Sequence, residues 1–522
     1  MTRGAPSRGM RLADVAREIP HVDAVPEGSE DVRVTGVRHD SRAIEPGDLF
    51  VARRGSESDG ARFAEAAVRA GAVAILSKEH IILPEGLRVP VVLTPYPELG
   101  LAYAAAAVYG QPSFSLDVVG ITGTNGKTTT AHLVRAALDG AAKRPVCGTI
   151  GTVGYGFGGE LEPASHTTPE ADELTRVLAR MRAKGASTVA MEVSSHALAQ
   201  KRVEAVRFRV AAFTNLSQDH LDFHKTLEEY AEAKARLFTE LGPGTAVVNV
   251  DDPVGERIAS RVRAPLLRVR RSPGKDADIV PLSIEHLPSG VRLKVQTPYG
   301  DLPMRSKLMG LHNVENLMVA LGVAIALDAD PLEVAAALED ELGAPGRLER
   351  CDGPEDDVRV LVDYAHTPDA LARALDSLAS FRDGRLIVVF GCGGDRDTTK
   401  RGPMGLAAGE RADVVIVTSD NPRSEDPELI VQAVASGVLE AGKAPISAED
   451  LASADAGLVT IVDRKRAIFE AISAARPGDI VLLAGKGHED YQILGNEKRH
   501  FDDREEARAA LAVRRARGTR RD

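Results

Sequence analysis

Short and almost continuous apolar runs recur along the chain, and the stretches between them carry apolar residues at helical spacing. Strands of a parallel sheet have this character because both of their faces are buried under helices. The pattern therefore predicts an α/β fold built on parallel sheets. The runs that carry the prediction are residues 48–52, 72–76, 116–121, 188–192, 210–214, 246–250, 358–362, 386–390, 414–418 and 480–484.

Breaks in this pattern divide the chain into three predicted domains. A helix predicted over 98–109 ends at Gly110-Gln111-Pro112, and Pro345-Gly346-Arg347 precedes the last group of strands. Glycine and proline favour turns and end helices, so both places are natural boundaries. Residues 276–306 differ, with alternating strands and hairpin turns, and a helix predicted over 314–327 closes the middle segment. We expect domains at 1–110, 111–343 and 344–522, because 522 residues exceed what one hydrophobic core supports.

Composition limits the location and the partners of the protein. The net charge of −11 argues against binding to nucleic acid. The longest apolar run, 317–327, is too short to span a bilayer, and the N-terminus lacks the apolar core of a signal peptide. Three scattered cysteines suit a reducing compartment. We expect a cytoplasmic protein without membrane insertion.

One glycine-rich motif follows the predicted strand at 116–121 and leads into a predicted helix. Glycine lets backbone N–H groups approach a polyphosphate, the helix N-terminus and the lysine add positive charge, and a threonine hydroxyl can bind Mg²⁺. The spacing departs from the general phosphate-loop rule, since Ile121 stands where that rule requires glycine. The motif nevertheless predicts binding of a nucleoside triphosphate. It reads Gly123-Thr124-Asn125-Gly126-Lys127-Thr128-Thr129.

Polar residues follow the next two predicted strands. Glu192 ends one strand and is a candidate Mg²⁺ ligand, and His220 follows the other and could complete a metal site with it. Ser195 and His196 are adjacent, but no nucleophile elbow surrounds them, which disfavours a hydrolase. Lys234 lies on a predicted helix over 227–238, and its position alone indicates only a solvated helix lysine.

In this order, the motifs resemble those of the Mur ligase family, the ATP-dependent amide-forming enzymes of peptidoglycan precursor synthesis. The resemblance covers nearly the whole chain and implies domains for a uridine nucleotide, for ATP and for an incoming amino acid. It also implies that CO₂ carbamylates Lys234. The catalytic groups that it implies are two Mg²⁺ ions, Lys127, Glu192, His220 and the carbamate. The motifs concerned are residues 123–129, 192–196, 215–220, Asn313 with Asn316, 345–347 and 363–368.

The resemblance implies further binding residues for the two nucleotides. It gives ATP-binding roles to Asn313, Arg347, Asp363 and His366, beside the residues of the phosphate loop. One departure concerns the first domain, where a loop that often carries histidine reads Ser56-Glu57-Ser58-Asp59-Gly60. The resemblance does not extend to this loop. The residues matching those that hold the UDP-muramoyl-dipeptide are Ser41, Thr167, Thr168, Ser194, Gln200 and Arg202.

Within the family, three motifs resemble those of members that use meso-diaminopimelate. They cover residues 390–397, 420–423 and 485–489. The guanidinium of Arg423 suits the distal carboxylate of this amino acid, because its two parallel N–H groups match two carboxylate oxygens. The other residues in matching positions are Arg396, Asp420, Asn421, Pro422, Gly485 and Glu489.

The implied reaction joins meso-diaminopimelate to the D-glutamate γ-carboxylate of UDP-N-acetylmuramoyl-L-alanyl-D-glutamate through an acyl phosphate. We expect a monomer whose partners are these small molecules. A lysine-adding ligase of the family is an alternative, but it would have no carboxylate for Arg423 to bind. A folylpolyglutamate synthetase would not need the uridine-nucleotide motifs. An NTPase switch would not need Thr167, Thr168 or Arg202.

Overall fold

The computed structural model describes residues 9–22, 29–54, 59–219, 221–274, 276–287, 290–379 and 381–518. His220 and most of the loop at 56–60 lie outside the described residues, as does part of 288–290, one of the hairpin turns predicted within 276–306. The chain forms two compact units. One contains residues up to 269 together with 319–334, and the other contains 270–318 together with residues from 335 onward.

The first unit begins with a small parallel sheet whose central strands are buried along their whole length. Two short strands, β1 and β2, pair antiparallel beside it, and the sheet itself has the order β3-β4-β5-β6. Apolar faces of its helices pack against both sides of the sheet. The elements are β1 (Met10–Arg11), α1 (Leu12–Glu18), β2 (Arg33–Val34), β3 (Gly36–Arg38), β4 (Asp48–Ala52), α2 (Ala64–Arg69), β5 (Ala74–Ser77), β6 (Val91–Leu93) and α3 (Pro97–Val108).

The larger sheet of this unit has eight strands in the described residues, in the order β10-β9-β8-β11-β7-β12-β13-β14. All adjacent pairs from β8 to β14 are parallel, so their carboxyl ends share one edge. The elements are β7 (Asp117–Thr122), α4 (Lys127–Ala142), β8 (Cys147–Gly151), β9 (Gly154–Phe157), β10 (Glu160–Glu162), α5 (Ala171–Ala183), β11 (Thr188–Glu192), α6 (Ser195–Ala199), β12 (Phe208–Phe213), α7 (Leu221–His224), α8 (Leu227–Thr239), β13 (Thr245–Asn249), α9 (Pro253–Arg261) and β14 (Leu266–Val269).

An antiparallel sheet follows in sequence. Its order is β15-β16-β17, and alternate residues of its middle strand are buried and exposed, as expected for a sheet with one covered face. The next two helices continue the chain. These elements are β15 (Val280–Leu287), β16 (Gly290–Thr297), β17 (Gly300–Ser306), α10 (Leu311–Ala326) and α11 (Pro331–Glu339).

A third α/β layer completes the second unit. Its sheet has the order β18-β19-β23-β20-β21-β22, with parallel pairs from β19 onward, and β24 and β25 form a separate hairpin. The elements are β18 (Glu349–Arg350), β19 (Arg359–Asp363), α12 (Pro368–Ala379), β20 (Leu386–Phe390), α13 (Arg401–Arg411), β21 (Val414–Val417), α14 (Pro427–Glu440), β22 (Gly457–Thr460), α15 (Arg464–Ala474), β23 (Ile480–Ala484), β24 (Tyr491–Leu494), β25 (Glu497–His500) and α16 (Asp503–Gly518).

The predicted α/β class with parallel sheets is confirmed. Four predicted strands, at 48–52, 188–192, 386–390 and 480–484, have the predicted bounds, and the other six shift by one or two residues. The predicted helices at 98–109 and 314–327 correspond to α3 and α10. The three predicted domain ranges stay a prediction. Among the described residues, no helix is both long enough and apolar enough to cross a membrane.

Candidate active site

The phosphate-loop motif lies between β7 and α4, at the edge where the parallel strands end. Gly123 has a φ of +154° and Gly126 a φ of +85°, which side-chain-bearing residues rarely adopt. A Cβ on Gly123 would lie 1.9 Å from Thr214 Oγ1. Both backbone conformation and close packing therefore require glycine at this position.

The segment that follows β12 fixes the loop from one side. Because β7 is the neighbour of β12, the residues after the two strands meet. Asn215 Oδ1 accepts a hydrogen bond from Asn125 N at 3.0 Å, and Thr214 Oγ1 donates to Asn125 O at 2.6 Å. Thr124 Oγ1 donates to Ser217 O at 3.2 Å. Sequence reasoning quoted Asn215 within a motif but gave no role to Thr214 or Ser217, whose polar side chains after a buried strand were the available signal.

Two lysines converge on one carbonyl of the loop. Lys127 Nζ donates to Gly123 O and Thr124 O, both at 2.9 Å, and Lys234 Nζ donates to Gly123 O at 2.7 Å. Lys234 is only 1% exposed, so its interpretation as a solvated helix lysine is wrong. The side chain points from α8 into the sheet edge, with Nζ 4.4 Å from the centre of the Tyr230 ring.

The environment of Lys234 disfavours its charged form. Burial lowers the pKa of this amine well below its ordinary value, the charge of Lys127 lowers it further, and Asp219 opposes the shift. A lysine amine that loses its proton becomes a nucleophile. This is the property that carbamylation by CO₂ requires.

Glu192 ends β11, the other neighbour of β7, and its carboxylate is buried beside the phosphate loop. Its Oε2 accepts from Thr128 Oγ1 at 3.0 Å, and its Oε1 accepts from Thr152 N at 2.8 Å. A Cβ on Gly151 would lie 2.1 Å from Glu192 Oε1, so the last residue of β8 leaves room for the carboxylate only as glycine. Thr152 was not predicted.

Thr128 and Glu192 together fit a magnesium site. A hydroxyl and a carboxylate are oxygen donors, the class of ligand that Mg²⁺ prefers. The predicted third ligand, His220, lies outside the described residues. Within the described ranges, no group of three or more histidine, cysteine, aspartate or glutamate side chains is arranged to hold a metal ion.

The residues expected to hold the muramoyl-dipeptide form one cluster. Thr168 Oγ1 donates to Glu192 O at 2.8 Å and accepts from Ser194 N at 3.0 Å. Arg202 donates to Thr168 O at 2.9 Å and, through two nitrogens, to Gln200 Oε1 at 2.7 and 3.0 Å. Thr167 Oγ1 lies 3.2 Å from Thr152 Oγ1, which links this cluster to Glu192.

Two residues of this cluster were not predicted. Glu170 binds Arg202 at 2.9 Å through one oxygen and Arg53 at 2.9 Å through the other. Burial is the largest influence on Arg202 and lowers the pKa of its guanidinium. Ser41 lies apart from these contacts, in a short helical turn over Ser41–Ala43 that Asp40 caps by accepting from Arg42 N.

In the second unit, Asp363 ends β19 and is buried. Its two oxygens accept from Leu348 N and Ala365 N, each at 2.8 Å, and burial raises the pKa of its carboxyl group. Arg347 stacks 4.6 Å from the ring centre of Tyr364. Its Nε is buried and has no hydrogen-bond partner among the described residues, which suits an anionic ligand.

The other two predicted ATP-binding residues of this unit differ in exposure. His366 is exposed, and its Nδ1 lies 2.8 Å from Tyr364 O. Asn313 is buried near the start of α10, where its amide donates to Met309 O at 2.8 Å and its Oδ1 accepts from Asn316 at 3.1 Å. His366 is thus accessible to a ligand, and Asn313 is held by its own helix.

The residues expected to bind diaminopimelate gather at the carboxyl ends of β20, β21 and β23. Asn421 donates to Glu489 Oε2 at 3.1 Å, and Arg423 donates to Gly394 O at 2.7 Å. Arg423 has a φ of +53°, which is uncommon outside glycine, and pairs through its backbone with Ile493 and Gly495. A Cβ on Gly394 would lie 1.9 Å from Pro422 O, so the two loops touch. Arg396 is exposed on the neighbouring loop.

A fully buried cation, Lys486, was missed. Its Nζ donates to Tyr491 O at 2.6 Å and to Asn421 Oδ1 at 3.2 Å, and it lies 3.3 Å from Asp420 and 3.6 Å from Glu489. Burial raises the pKa of Glu489. The charge of Asp420 also raises this pKa, and the charge of Lys486 lowers it. The available signal was a lysine directly after a buried strand, beside Gly485, whose φ is +109°.

Three sequence models of one family match the chain in order. They are "Mur ligase family, catalytic domain" over residues 33–108, "Mur ligase middle domain" over 121–324, and "Mur ligase, glutamate ligase domain" over 346–487. The chain therefore belongs to the Mur ligase family. It is an ATP-dependent ligase, of a family that works with ATP and Mg²⁺.

Individual relatives match nearly end to end. The chain is 45% identical over 513 residues to UDP-N-acetylmuramoyl-L-alanyl-D-glutamate–2,6-diaminopimelate ligase of Geobacter metallireducens, covering 96% of this chain and 98% of the relative. The enzyme of that name from Gloeobacter violaceus is 45% identical over 489 residues, covering 94% and 96%. A solved structure of a ligase with this name superposes with a TM-score of 0.68 at 34% identity, covering 94% and 97%.

Proposed function

We propose that the protein adds meso-2,6-diaminopimelate to the D-glutamate γ-carboxylate of UDP-N-acetylmuramoyl-L-alanyl-D-glutamate, a step in peptidoglycan precursor synthesis. The observation that carries this proposal is 45% identity over 513 residues to an enzyme whose name gives both the nucleotide substrate and 2,6-diaminopimelate. The phosphate loop matches the chemistry of ATP, and Arg423 with its neighbours at the carboxyl ends of β20, β21 and β23 matches that of diaminopimelate. We assign the uridine nucleotide to residues 1–110, ATP to 111–343 and diaminopimelate to 344–522.

The reaction needs an activated carboxylate, because a carboxylate itself is a poor electrophile. The γ-carboxylate oxygen attacks the γ-phosphorus of ATP, the bond to ADP breaks, and an acyl phosphate forms. The neutral amine of diaminopimelate then attacks the acyl carbon, and the tetrahedral intermediate expels phosphate. Each step brings anions together, so the enzyme acts chiefly by positioning groups and neutralising charge.

The phosphate loop holds the triphosphate in this scheme. The backbone N–H groups at the start of α4 point towards the loop, and the helix dipole favours an anion there. Lys127 exchanges its two carbonyl partners for phosphate oxygens when ATP binds. We also assign ATP binding to Asn313, Arg347, Asp363 and His366.

Mg²⁺, as two ions, would neutralise phosphate charge beside Thr128, Glu192, His220 and a carbamylated Lys234. Carbamylation joins the neutral lysine nitrogen to the carbon of CO₂ and releases one proton, so a neutral amine becomes an anion. Burial and the neighbouring Lys127, which together depress the pKa of Lys234, support this assignment. The carbamate places negative charge where the phosphate loop and its metal ions are positive.

The two remaining substrates bind to the polar clusters described above. Thr167, Thr168, Ser194, Gln200 and Arg202 hold the dipeptide end of the uridine nucleotide, and Ser41 contacts the nucleotide. Arg423 holds the distal carboxylate of diaminopimelate in a bidentate pair. Arg396, Asp420, Asn421, Pro422, Gly485 and Glu489 form the rest of that site. The enzyme acts as a cytoplasmic monomer that binds neither nucleic acid nor membrane.

The decisive experiment measures phosphate release with ATP, Mg²⁺ and UDP-N-acetylmuramoyl-L-alanyl-D-glutamate, comparing meso-diaminopimelate with L-lysine. We expect release and tripeptide product with diaminopimelate alone. Release with lysine alone would identify a lysine-adding enzyme. Release with neither amine would refute the proposed reaction, and ATP hydrolysis that needs no amine would point to an NTPase switch.

A further inference from the structure

Lys486 lies directly after β23 and Gly485, with its side chain fully buried. A buried ammonium is costly unless oxygen atoms surround it. Here Nζ makes two hydrogen bonds, to Tyr491 O and Asn421 Oδ1, and two ion pairs, to Asp420 at 3.3 Å and Glu489 at 3.6 Å. Every side chain that hydrogen-bonds or ion-pairs with the ammonium belongs to a residue assigned above to diaminopimelate, and the ring centre of Tyr491 lies 5.7 Å from Nζ.

The first consequence concerns the orientation of Asn421. Its Oδ1 accepts from Lys486 Nζ at 3.2 Å and from Ile493 N at 2.9 Å, so both donors hold the same end of the amide. The Nδ2 end is therefore directed to Glu489, to which it donates at 3.1 Å. Without the ammonium, the amide would lose one of the two contacts that define this orientation.

The second consequence concerns charge. Asp420 and Glu489 bring two carboxylates to one ammonium, so this group keeps one net negative charge when both acids are ionised. Arg423, two residues after Asn421, supplies a guanidinium at the same loop. The distal end of diaminopimelate carries an ammonium and a carboxylate. The ammonium complements the surplus negative charge, and the carboxylate complements the guanidinium. A further guanidinium, that of Arg464, also lies near this cluster. Asp503 neutralises it at 2.6 Å.

We propose that Lys486 is a positioning residue for diaminopimelate: it holds Asp420, Asn421 and Glu489 so that one carboxylate charge remains to bind the substrate ammonium. The lysine acts through these three side chains. This inference rests on the proposed function, because it concerns the amino-acid substrate of that reaction.

The test is Lys486→Met, which keeps an unbranched side chain one atom shorter and removes its charge. We expect the KM for diaminopimelate to rise at least tenfold, about the value of one lost charged hydrogen bond. The KM values for ATP and for the uridine nucleotide should change less than about twofold, because neither substrate is assigned to this cluster. A direct titration of the folded variant with diaminopimelate should show the same loss of affinity.

Arg385→Met is the matched control. Arg385 is another buried cation of the same sheet, paired with Asp479 at 2.7 Å, but it lies at the amino ends of β20 and β23. The control should lower stability without raising the KM for diaminopimelate. An equal rise in both variants, or no rise in Lys486→Met, would overturn the positioning role.

If Lys486→Met does not fold, the double variant Asp420→Asn/Lys486→Met keeps the net charge of the cluster at −1. It is compared with Asp420→Asn alone. A KM for diaminopimelate at least tenfold above that of the single variant supports positioning by Lys486, and equal values refute it. Failure of the wild-type protein to use diaminopimelate would instead refute the proposed function, and this inference with it, before any variant is made.

Discussion

Lys234 and Lys486 both bury their amino groups near the carboxyl ends of parallel strands, yet their surroundings have opposite electrical character. Lys234 shares the Gly123 carbonyl with a second lysine, and its pKa is strongly lowered. Lys486 lies within 3.6 Å of two carboxylates and also bonds to two carbonyl oxygens. Burial alone therefore does not define the role of a lysine. The first environment favours a neutral amine that can react, and the second surrounds the amino group with oxygen atoms whose side chains it orders.

The largest expected effect follows from removing the reactive amine. Lys234→Ala should lower kcat about 10³-fold, since it deletes the group from which the proposed anionic carbamate forms. A short carboxylic acid such as acetate should restore part of the activity by replacing the lost anion. Steady-state rates with and without acetate measure both effects.

Lys143→Ala is the control for this experiment, because Lys143 lies at the end of α4 with its side chain 74% exposed. It should retain wild-type rates. Acetate should leave Lys486→Met unchanged, since that variant has lost a cation. Wild-type activity of Lys234→Ala without acetate would remove the contrast between the two lysines.

The same substitution at the two lysines should change stability in opposite directions. Lys486→Met leaves two carboxylates without their cation and should lower the free energy of unfolding by about 3 kcal/mol. Lys234→Met removes an amine whose charged form burial disfavours, and in CO₂-depleted buffer it should raise that free energy. Urea unfolding at pH 7 measures both values.

The pH dependence of the free energy of unfolding tests independently whether the charge of Lys234 destabilises the folded protein. Its pKa is lower in the folded state, so between that value and the ordinary lysine value the unfolded chain binds more protons, and wild-type stability rises with pH. The advantage of Lys234→Met should therefore shrink as pH rises towards about 10.4. A constant advantage would show that lost packing or strain, and not charge, separates the variants.

These two lysines also show what sequence could and could not predict. The parallel strands were predictable because their apolar runs are nearly continuous, and strand adjacency explains why Glu192 meets Thr128. β8 was missed because Cys147–Gly151 contains two glycines and a threonine, which interrupt the apolar pattern. Lys234 does not differ locally from a solvated helix lysine, and the only local signal at Lys486 is its place after a buried strand. Their burial depends on contacts with residues 65 or more positions away, such as Gly123 and Asn421.

A smaller effect is expected at the guanidinium that completes the amino-acid site. Arg423→Lys keeps the positive charge but loses the planar pair of N–H groups, so the KM for diaminopimelate should rise about thirtyfold. The KM for ATP should stay unchanged. Arg411→Lys, on the surface of α13, is the control and should have no effect on either constant. A higher KM for ATP in Arg423→Lys would assign the arginine to a different ligand.

The smallest effects concern the tyrosine beside each lysine. Tyr230 covers Lys234 with its ring at 4.4 Å, and its hydroxyl lies 3.2 Å from Thr124 Oγ1. Tyr491 accepts from Lys486 through its backbone carbonyl at 2.6 Å, and its ring centre is farther from the ammonium, at 5.7 Å. Tyr230→Phe keeps the ring and should raise the KM for ATP about threefold, the value of one neutral hydrogen bond to the loop. Tyr491→Phe keeps the carbonyl and should leave the KM for diaminopimelate within about twofold. A large rise in Tyr491→Phe would mean that the phenol itself takes part in the site, and the two lysines would then be more alike than their backbone partners indicate.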